Sequence, residues 1–161
     1  MLLQTSSTAS RAVPAALLLG AVAGALALQH VLGWAPCPLC IVQRLTALAL
    51  LLALAGYAAT SNETWQDAWL ALAGLVTGLA LLAAGSHLYL LFAPQEATCG
   101  PGLAMSVTRL VEALPGSEWL LEGAGACGDT RYSIFGIPLP AWSGLAHVTA
   151  FGLAAFQRFR Q

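Results

Sequence analysis

The chain has 161 residues, of which 58% are hydrophobic and only 8% are charged, and its mean hydropathy is +0.77. A soluble domain usually carries about 25% charged residues, so this composition excludes an ordinary soluble protein and indicates an integral membrane protein. The formal net charge is −1, and all six basic residues are Arg. Because there is no basic stripe, the sequence argues against a nucleic-acid partner.

Four apolar segments are long enough to cross a membrane, since a crossing takes about 20 residues at a rise of 1.5 Å each. They cover residues 12–32, 41–59, 68–93 and 139–156. The five Trp residues fall near segment ends or in loops, as in the aromatic belts of membrane proteins. We therefore predict an all-α integral membrane protein, a four-helix bundle that forms a single domain over residues 1–161.

The first segment has a competing interpretation as a signal peptide, because Arg11 precedes it and Ala25-Leu26-Ala27 resembles a cleavage site. Its apolar run continues to Leu32, however, and is longer than the roughly 7–15 residues of a signal-peptide core. We therefore interpret it as the first transmembrane helix.

The four cysteines lie in two loops that emerge on the same side of the membrane, because two crossings separate them. These are Cys37 and Cys40 in loop 33–40, and Cys99 and Cys127 in loop 94–138. Arginines flank the chain ends at Arg11, Arg158 and Arg160. The positive-inside rule therefore places both termini in the cytoplasm. The cysteines then face an oxidising compartment, where disulfides persist.

Apolar residues recur at helical spacing within loop 94–138, and Pro115-Gly116 ends the pattern. They are Leu103, Val107, Leu110, Val111 and Leu114. This predicts a short amphipathic helix that either lies on the membrane surface or packs against the bundle. Glycine-rich turns flank Cys99 and Cys127, which predicts sulfurs on mobile and accessible backbone.

The motif Cys37-Pro38-Leu39-Cys40 spaces two cysteines so that they can close a small, reducible disulfide ring. Such a pair stores and releases two electrons, and at a membrane boundary it can pass them to a lipid-soluble carrier. So small a ring gains little stability from closure, which disfavours a structural role. A bond between Cys99 and Cys127 would contribute roughly 3–4 kcal/mol in the chain-entropy model, so both a structural and a redox role stay open for that pair.

Arg44 and His87 are candidate quinone-binding residues. Arg44 lies one turn after Cys40 on the same helix face, and the guanidinium and the helix dipole both favour a Cys40 thiolate. Because an Arg inside a membrane helix is costly, it is a candidate donor to a quinone carbonyl, the alternative being snorkelling to the interface. His87 lies at a similar depth, where it bonds a quinone oxygen, helps in proton transfer, or forms a structural bond between helices.

The stretch Pro36-Cys37-Pro38-Leu39-Cys40-Ile41-Val42-Gln43-Arg44 resembles the bacterial disulfide-bond formation protein family, DsbB. Further matches, in order, are Gln29-His30-Val31-Leu32, Gly85-Ser86-His87, Ala97-Thr98-Cys99, Gly125-Ala126-Cys127, Phe135-Gly136 and Pro140-Ala141-Trp142. The resemblance covers nearly the whole chain. Two positions depart from it: Ser86 stands where the family often has Arg, and Tyr132 where Trp is common.

The resemblance implies a multi-pass protein of the bacterial inner membrane with its cysteines in the periplasm. It further implies an oxidoreductase that reoxidises a periplasmic DsbA-like thiol oxidase and hands the electrons to ubiquinone or menaquinone. By the same resemblance Cys99 forms the mixed disulfide with the partner, Cys127 relays to Cys37, and Cys40 with Arg44 faces the quinone.

Three other functions compete with this interpretation. A vitamin K epoxide reductase-like enzyme uses similar chemistry, but there the cysteine pair belongs nearer the final helix. A non-catalytic scaffold would use its disulfides only as staples, and these should resist mild thiols. A soft-metal carrier needs reduced, converging cysteines. A zinc site usually shows two closely spaced cysteine pairs, which this chain lacks, so we expect no metal.

Overall fold

A computed structural model describes residues 8–92, 99, 101–113, 116–121, 125–128 and 132–160. In chain order its elements are α1 (Thr8–Leu32), α2 (Pro38–Ala59), α3 (Glu63–Phe92), α4 (Pro101–Ala113), α5 (Glu118–Leu121), β1 (Ser133–Ile134), β2 (Ile137–Pro138) and α6 (Leu139–Phe159). Helices α1, α2, α3 and α6 are each long and apolar enough to cross a membrane. The predicted four-helix membrane bundle is confirmed.

The four long helices form a ring in which α1 and α3 each contact both α2 and α6. The centre of the ring is apolar, with fully buried side chains that include Leu18, Leu50, Leu54 and Tyr57. Large apolar side chains such as Leu82 also cover the outer faces of the helices, where they are exposed in the isolated chain. This distribution suits a bundle whose outer surface meets lipid.

Three helices begin earlier than the apolar segments predict, and the first of them, α1, begins at Thr8 instead of residue 12. Helix α2 begins at Pro38, with Cys37 as its N-cap residue, so Cys40 lies inside the first turn rather than in a loop. Helix α3 begins at Glu63, because the Oδ1 atom of Asn62 accepts a hydrogen bond from the backbone N–H of Trp65 at 3.2 Å and caps the helix. Because the residues of that first turn are polar, the apolar segment did not show where α3 begins. At the other end of the chain, α6 continues to Phe159.

The start of α1, the end of α6 and the α2–α3 connection lie together at one end of the bundle, as four crossings require. Arg11 donates to the carbonyl oxygen of Thr60 at 3.3 Å. At the same end Arg158 Nε and Asp67 Oδ1 form an ion pair of 2.9 Å between α6 and α3. The cysteines therefore lie at the opposite end.

Helices α2 and α3 approach closely at Gly56, where an added Cβ would lie 2.5 Å from the ring of Trp69. We expect Gly56→Ala to destabilise the bundle by about 1–3 kcal/mol, because a rigid indole in a packed interface cannot yield without moving its helix. Gly78→Ala is the matched control, since a Cβ there meets nothing within 4 Å. Unfolding midpoints in detergent should fall for the first variant only. Equal midpoints for the two variants would show that α2 and α3 can move apart at Gly56 without a loss of stability.

At the cysteine end, α4 confirms the predicted amphipathic helix and packs against the bundle. Val107 of α4 is buried against Ile41 of α2 and Leu121 of α5. Strands β1 and β2 form a small antiparallel hairpin, a feature not predicted from the sequence. Its turn is made by Phe135 and Gly136, both with positive φ, and the hairpin leads directly into α6. Together these elements cover the entrance to the bundle where the cysteines lie.

Candidate functional site

All four cysteines come together in one cluster at the end of the bundle. Cys37 and Cys127 are buried against Leu39, with Cys40 and Cys99 packed around them. The sulfur atoms of Cys37, Cys99 and Cys127 all lie within 4.8 Å of one another. Residues that are far apart in sequence are thus within reach of direct sulfur-to-sulfur exchange.

The pair Cys37 and Cys40 is present as a dithiol, with the two sulfur atoms 3.2 Å apart. The N-cap position of Cys37 and the helical turn that follows create this approach, and the Cys40 backbone N–H also points at the Cys37 sulfur at 3.4 Å. The hydrogen bond between the two sulfurs, together with burial, raises the pKa of the Cys37 thiol.

His87 of α3 lies beside this dithiol, with its Nε2 atom 3.6 Å from the sulfur of Cys37. On the other side of the ring, Nδ1 lies 3.3 Å from the side-chain nitrogen of Gln43. With the Gln43 nitrogen as the donor, Nδ1 accepts and the ring proton belongs on Nε2. In that tautomer His87 presents an N–H group to the sulfur.

The other two cysteines, Cys99 and Cys127, form a disulfide with a Cα–Cα distance of 5.7 Å. They differ in exposure, because Cys99 is partly accessible whereas Cys127 is only 4% exposed. The expectation that both sulfurs lie on accessible backbone is thus wrong for Cys127. The segment carrying it packs tightly against the α1–α2 connection, where Gly125 N–H donates to the carbonyl oxygen of Pro36 at 2.9 Å.

The Arg44 guanidinium is buried rather than snorkelling, with 8% of the residue exposed. It donates to the Gln29 side chain and the Ala25 carbonyl oxygen of α1, and to the Leu120 carbonyl oxygen of α5 at 2.9 Å. These bonds hold three helices together and keep a fixed positive charge one turn from Cys40.

A cavity of about 660 Å³ opens between α1 and α6 and extends to Cys40, Gln43 and Arg44. Most of its wall is apolar, from residues such as Val22 and Leu28 of α1 and Trp142 of α6. Its volume is within the range of small-molecule sites, about 300–1,000 Å³. His87 does not line this cavity. With Cys37 and Cys40 it borders a separate space of about 20 Å³, the size of one water molecule.

The sequence interpretation gave no role to Gln43, Gln29 or Gly125. A polar residue inside a membrane helix is a functional candidate by default, and that signal was available for Gln43. The remaining two histidines form structural contacts. His30 stacks on Trp119 and donates to its carbonyl oxygen at 2.9 Å, and His147 contacts Thr46 and the Ser143 carbonyl oxygen.

Comparison with known proteins identifies the family. The family model for disulfide bond formation protein DsbB matches residues 8–157. The chain belongs to the DsbB family. Three curated relatives, each named Disulfide bond formation protein B, match most of it. The Chromobacterium violaceum protein is 38% identical over 80% of this chain and 78% of its own length. The Ralstonia nicotianae protein is 33% identical over 88% and 87%, and the Acinetobacter baumannii protein is 33% identical over 93% and 91%. No solved structure matches the chain.

Membership of the DsbB family identifies the chain as a multi-pass membrane oxidoreductase that acts in disulfide bond formation. The family match over residues 8–157 favours this function over the three competing ones. The four converging sulfurs are what such exchange needs, because each step is an attack of a thiolate on a neighbouring disulfide.

Proposed function

We propose that this protein reoxidises a periplasmic DsbA-type dithiol oxidase and passes the two electrons to a membrane quinone, ubiquinone or menaquinone. One observation carries the proposal. The disulfide Cys99–Cys127 and the dithiol Cys37/Cys40 lie in one cluster, and Cys40 also lines a large apolar cavity between α1 and α6. The same cluster therefore contains a disulfide that can exchange with a thiol partner and a cysteine that borders a cavity for a lipid-soluble acceptor.

The exposure of the two bonded sulfurs supports a direction for the first step. A thiolate of the partner attacks the accessible sulfur of Cys99, the Cys99–Cys127 bond breaks, and Cys127 leaves as a thiolate. Attack at Cys127 is disfavoured because that sulfur is buried. The partner's second cysteine then attacks the mixed disulfide, which releases the oxidised partner and leaves its two electrons on the chain.

The released Cys127 thiolate has Cys37 as a neighbour. When Cys37 and Cys40 are joined, its attack on Cys37 forms a Cys37–Cys127 bond and frees Cys40 as a thiolate. Cys99 then attacks Cys127, so the outer disulfide closes again and Cys37 is released.

The cavity beside Cys40 fits a quinone ring and its isoprenoid chain. Its wall is largely apolar, and the sulfur of Cys40 and the guanidinium of Arg44 both border it. When bound, the quinone accepts two electrons and two protons. Arg44 would hold a ring carbonyl with a charged hydrogen bond, while His87 would stabilise sulfur charge through its Nε2–H group. His87 thus acts on the thiol pair instead of on the quinone, a revision of its expected role.

We further propose that both termini are cytoplasmic and that the cysteine cluster faces the periplasm. The arginines at the chain ends favour that orientation. The opposite orientation would put exchanging disulfides in a compartment that keeps thiols reduced. Modification of Cys99 by a membrane-impermeant thiol reagent, after reduction, should occur in whole cells whose outer membrane has been permeabilised.

The first experiment is anaerobic quinone reduction by the purified protein in detergent, supplied with a reduced DsbA-type dithiol. We expect quinol formation that needs both the dithiol and the protein, and that disappears in Cys40→Ser. Ubiquinone and menaquinone are compared at equal concentration to identify the preferred acceptor. Folded protein that reduces neither quinone would contradict the proposal.

A further inference from the structure

The segment 125–128 packs against the connection between α1 and α2 through a backbone contact at Gly125. The Gly125 N–H donates to the Pro36 carbonyl oxygen at 2.9 Å. A Cβ at this position would overlap the carbonyl oxygen of Ala35. The two backbones are therefore so close that only a glycine fits. Because the obstacle is backbone, a small side-chain rearrangement cannot relieve it.

This contact places two cysteines against each other. Cys37 directly follows Pro36, and Cys127 comes two residues after Gly125, so the hydrogen bond joins the chain just before each sulfur. Both residues are buried, at 3% and 4% exposure, and pack in one cluster. Because Cys37 and Cys127 lie only one and two residues beyond this hydrogen bond, the backbone contact restricts how far their sulfurs can separate.

A second contact joins the α1–α2 connection to the chain that follows Cys127. The ring of Trp34 packs against the ring of Tyr132, with centroids 5.2 Å apart. The α1–α2 connection is thus held just before Cys37, and the facing chain is held on both sides of Cys127. We call this pair of contacts the loop clasp: Gly125 with Ala35 and Pro36, and Trp34 with Tyr132.

We propose that Gly125 is a positioning residue for the electron relay, and that the loop clasp holds Cys127 within reach of Cys37. The inference rests on the proposed function and adds how its central step is arranged. In that step the Cys127 thiolate attacks Cys37, the Cys37–Cys127 bond forms, the Cys37–Cys40 bond breaks, and the electron pair leaves on Cys40. Held together in this way, the two sulfurs exchange as neighbours, within 4.8 Å of each other.

The decisive measurement is the effective concentration of the Cys37/Cys127 thiol pair, which requires neither the partner nor a quinone. In the full chain carrying Cys40→Ser and Cys99→Ser, the two remaining thiols are equilibrated against a glutathione redox buffer in detergent. We expect Gly125→Ala to lower this effective concentration by roughly 10-fold or more, because a displacement of about 1 Å is enough for such losses.

Gly128→Ala is the matched control, since it also lies beside Cys127 but a Cβ there meets only the Leu90 carbonyl oxygen, at 3.9 Å. Its effective concentration should stay within about twofold of the parent. Equal values for the Gly125 and Gly128 variants would overturn the proposal. A fall that occurs only in Gly125→Ala supports it even if the partner or quinone assignments prove wrong.

Tyr132→Ala provides a second variant in case Gly125→Ala does not fold, as judged by helical circular dichroism. It removes the ring contact to Trp34 and leaves the backbone untouched. Its effective concentration should fall by about 2–5-fold, while Tyr89→Ala, at an exposed position on α3, should not change it. An unchanged value for Tyr132→Ala would likewise count against the clasp.

Discussion

Replacing Cys127 with Ser is expected to leave a chain that couples rapidly to a thiol partner through Cys99, whereas Cys99→Ser should almost abolish coupling. The reason is the difference in access: Cys99 is partly exposed, and Cys127 is 4% exposed beneath neighbouring backbone. Coupling through Cys127 should be slower by a factor on the order of 100, because the partner sulfur cannot reach the attack geometry.

The measurement uses a single-cysteine, DsbA-type partner activated as a mixed disulfide with an aromatic thiol, whose release is followed by absorbance. For this measurement Cys37 and Cys40 are both replaced by Ser, so that each variant has a single thiol that cannot exchange within the chain. Quinone reduction driven by a small dithiol serves as the control in the chains that keep Cys37 and Cys40, since a small dithiol can attack their disulfide at the half-buried Cys40, and it should survive in both variants. Similar coupling rates for the two variants would remove Cys99 from its assigned place as the entry point.

Features carried by long stretches of sequence were predicted well. The four apolar segments correspond to the four long helices, because an apolar run of that length is typical of a helix that crosses a membrane. Parity placed all four cysteines at one end, and the spacing of Leu103 and Val107 predicted α4. Errors were at boundaries, where short polar motifs decide. The Asn62 cap starts α3 within a polar stretch, and Cys37 starts α2 as its N-cap.

Features that depend on contacts across the fold were not predictable from one sequence. The close approach of Gly125 to Ala35 joins residues 90 positions apart, and nothing local to either distinguishes this glycine from its neighbours. The anchoring of Arg44 needs the Leu120 carbonyl oxygen, offered by a four-residue helix too short to show periodicity. By contrast, the cysteine motif and Arg44 could be proposed as candidates from the sequence because their chemistry is unusual at a membrane boundary.

Arg44→Met should raise the apparent KM for quinone by about 10–100-fold while leaving the KM for the dithiol partner nearly unchanged. A charged hydrogen bond contributes about 1.5–3 kcal/mol, and each 1.4 kcal/mol corresponds to roughly a factor of ten in binding. Methionine keeps much of the length and apolar volume of the side chain but removes the donors. Steady-state quinone reduction with each substrate varied in turn separates the two constants.

The same substitution also removes the bonds to Gln29, Ala25 and Leu120, so a stability loss must be distinguished from a binding loss. Arg44→Lys helps here, because an ammonium keeps the charge but cannot reach several acceptors in the planar geometry of a guanidinium. If charge beside the cavity governs quinone binding, Arg44→Lys should have a quinone KM close to that of the parent, while its unfolding midpoint stays below that of the parent. Arg109→Met, at an exposed position on α4, should change neither quantity. A partner KM that rises as much as the quinone KM would place the effect of Arg44 in the bundle as a whole and not at the quinone.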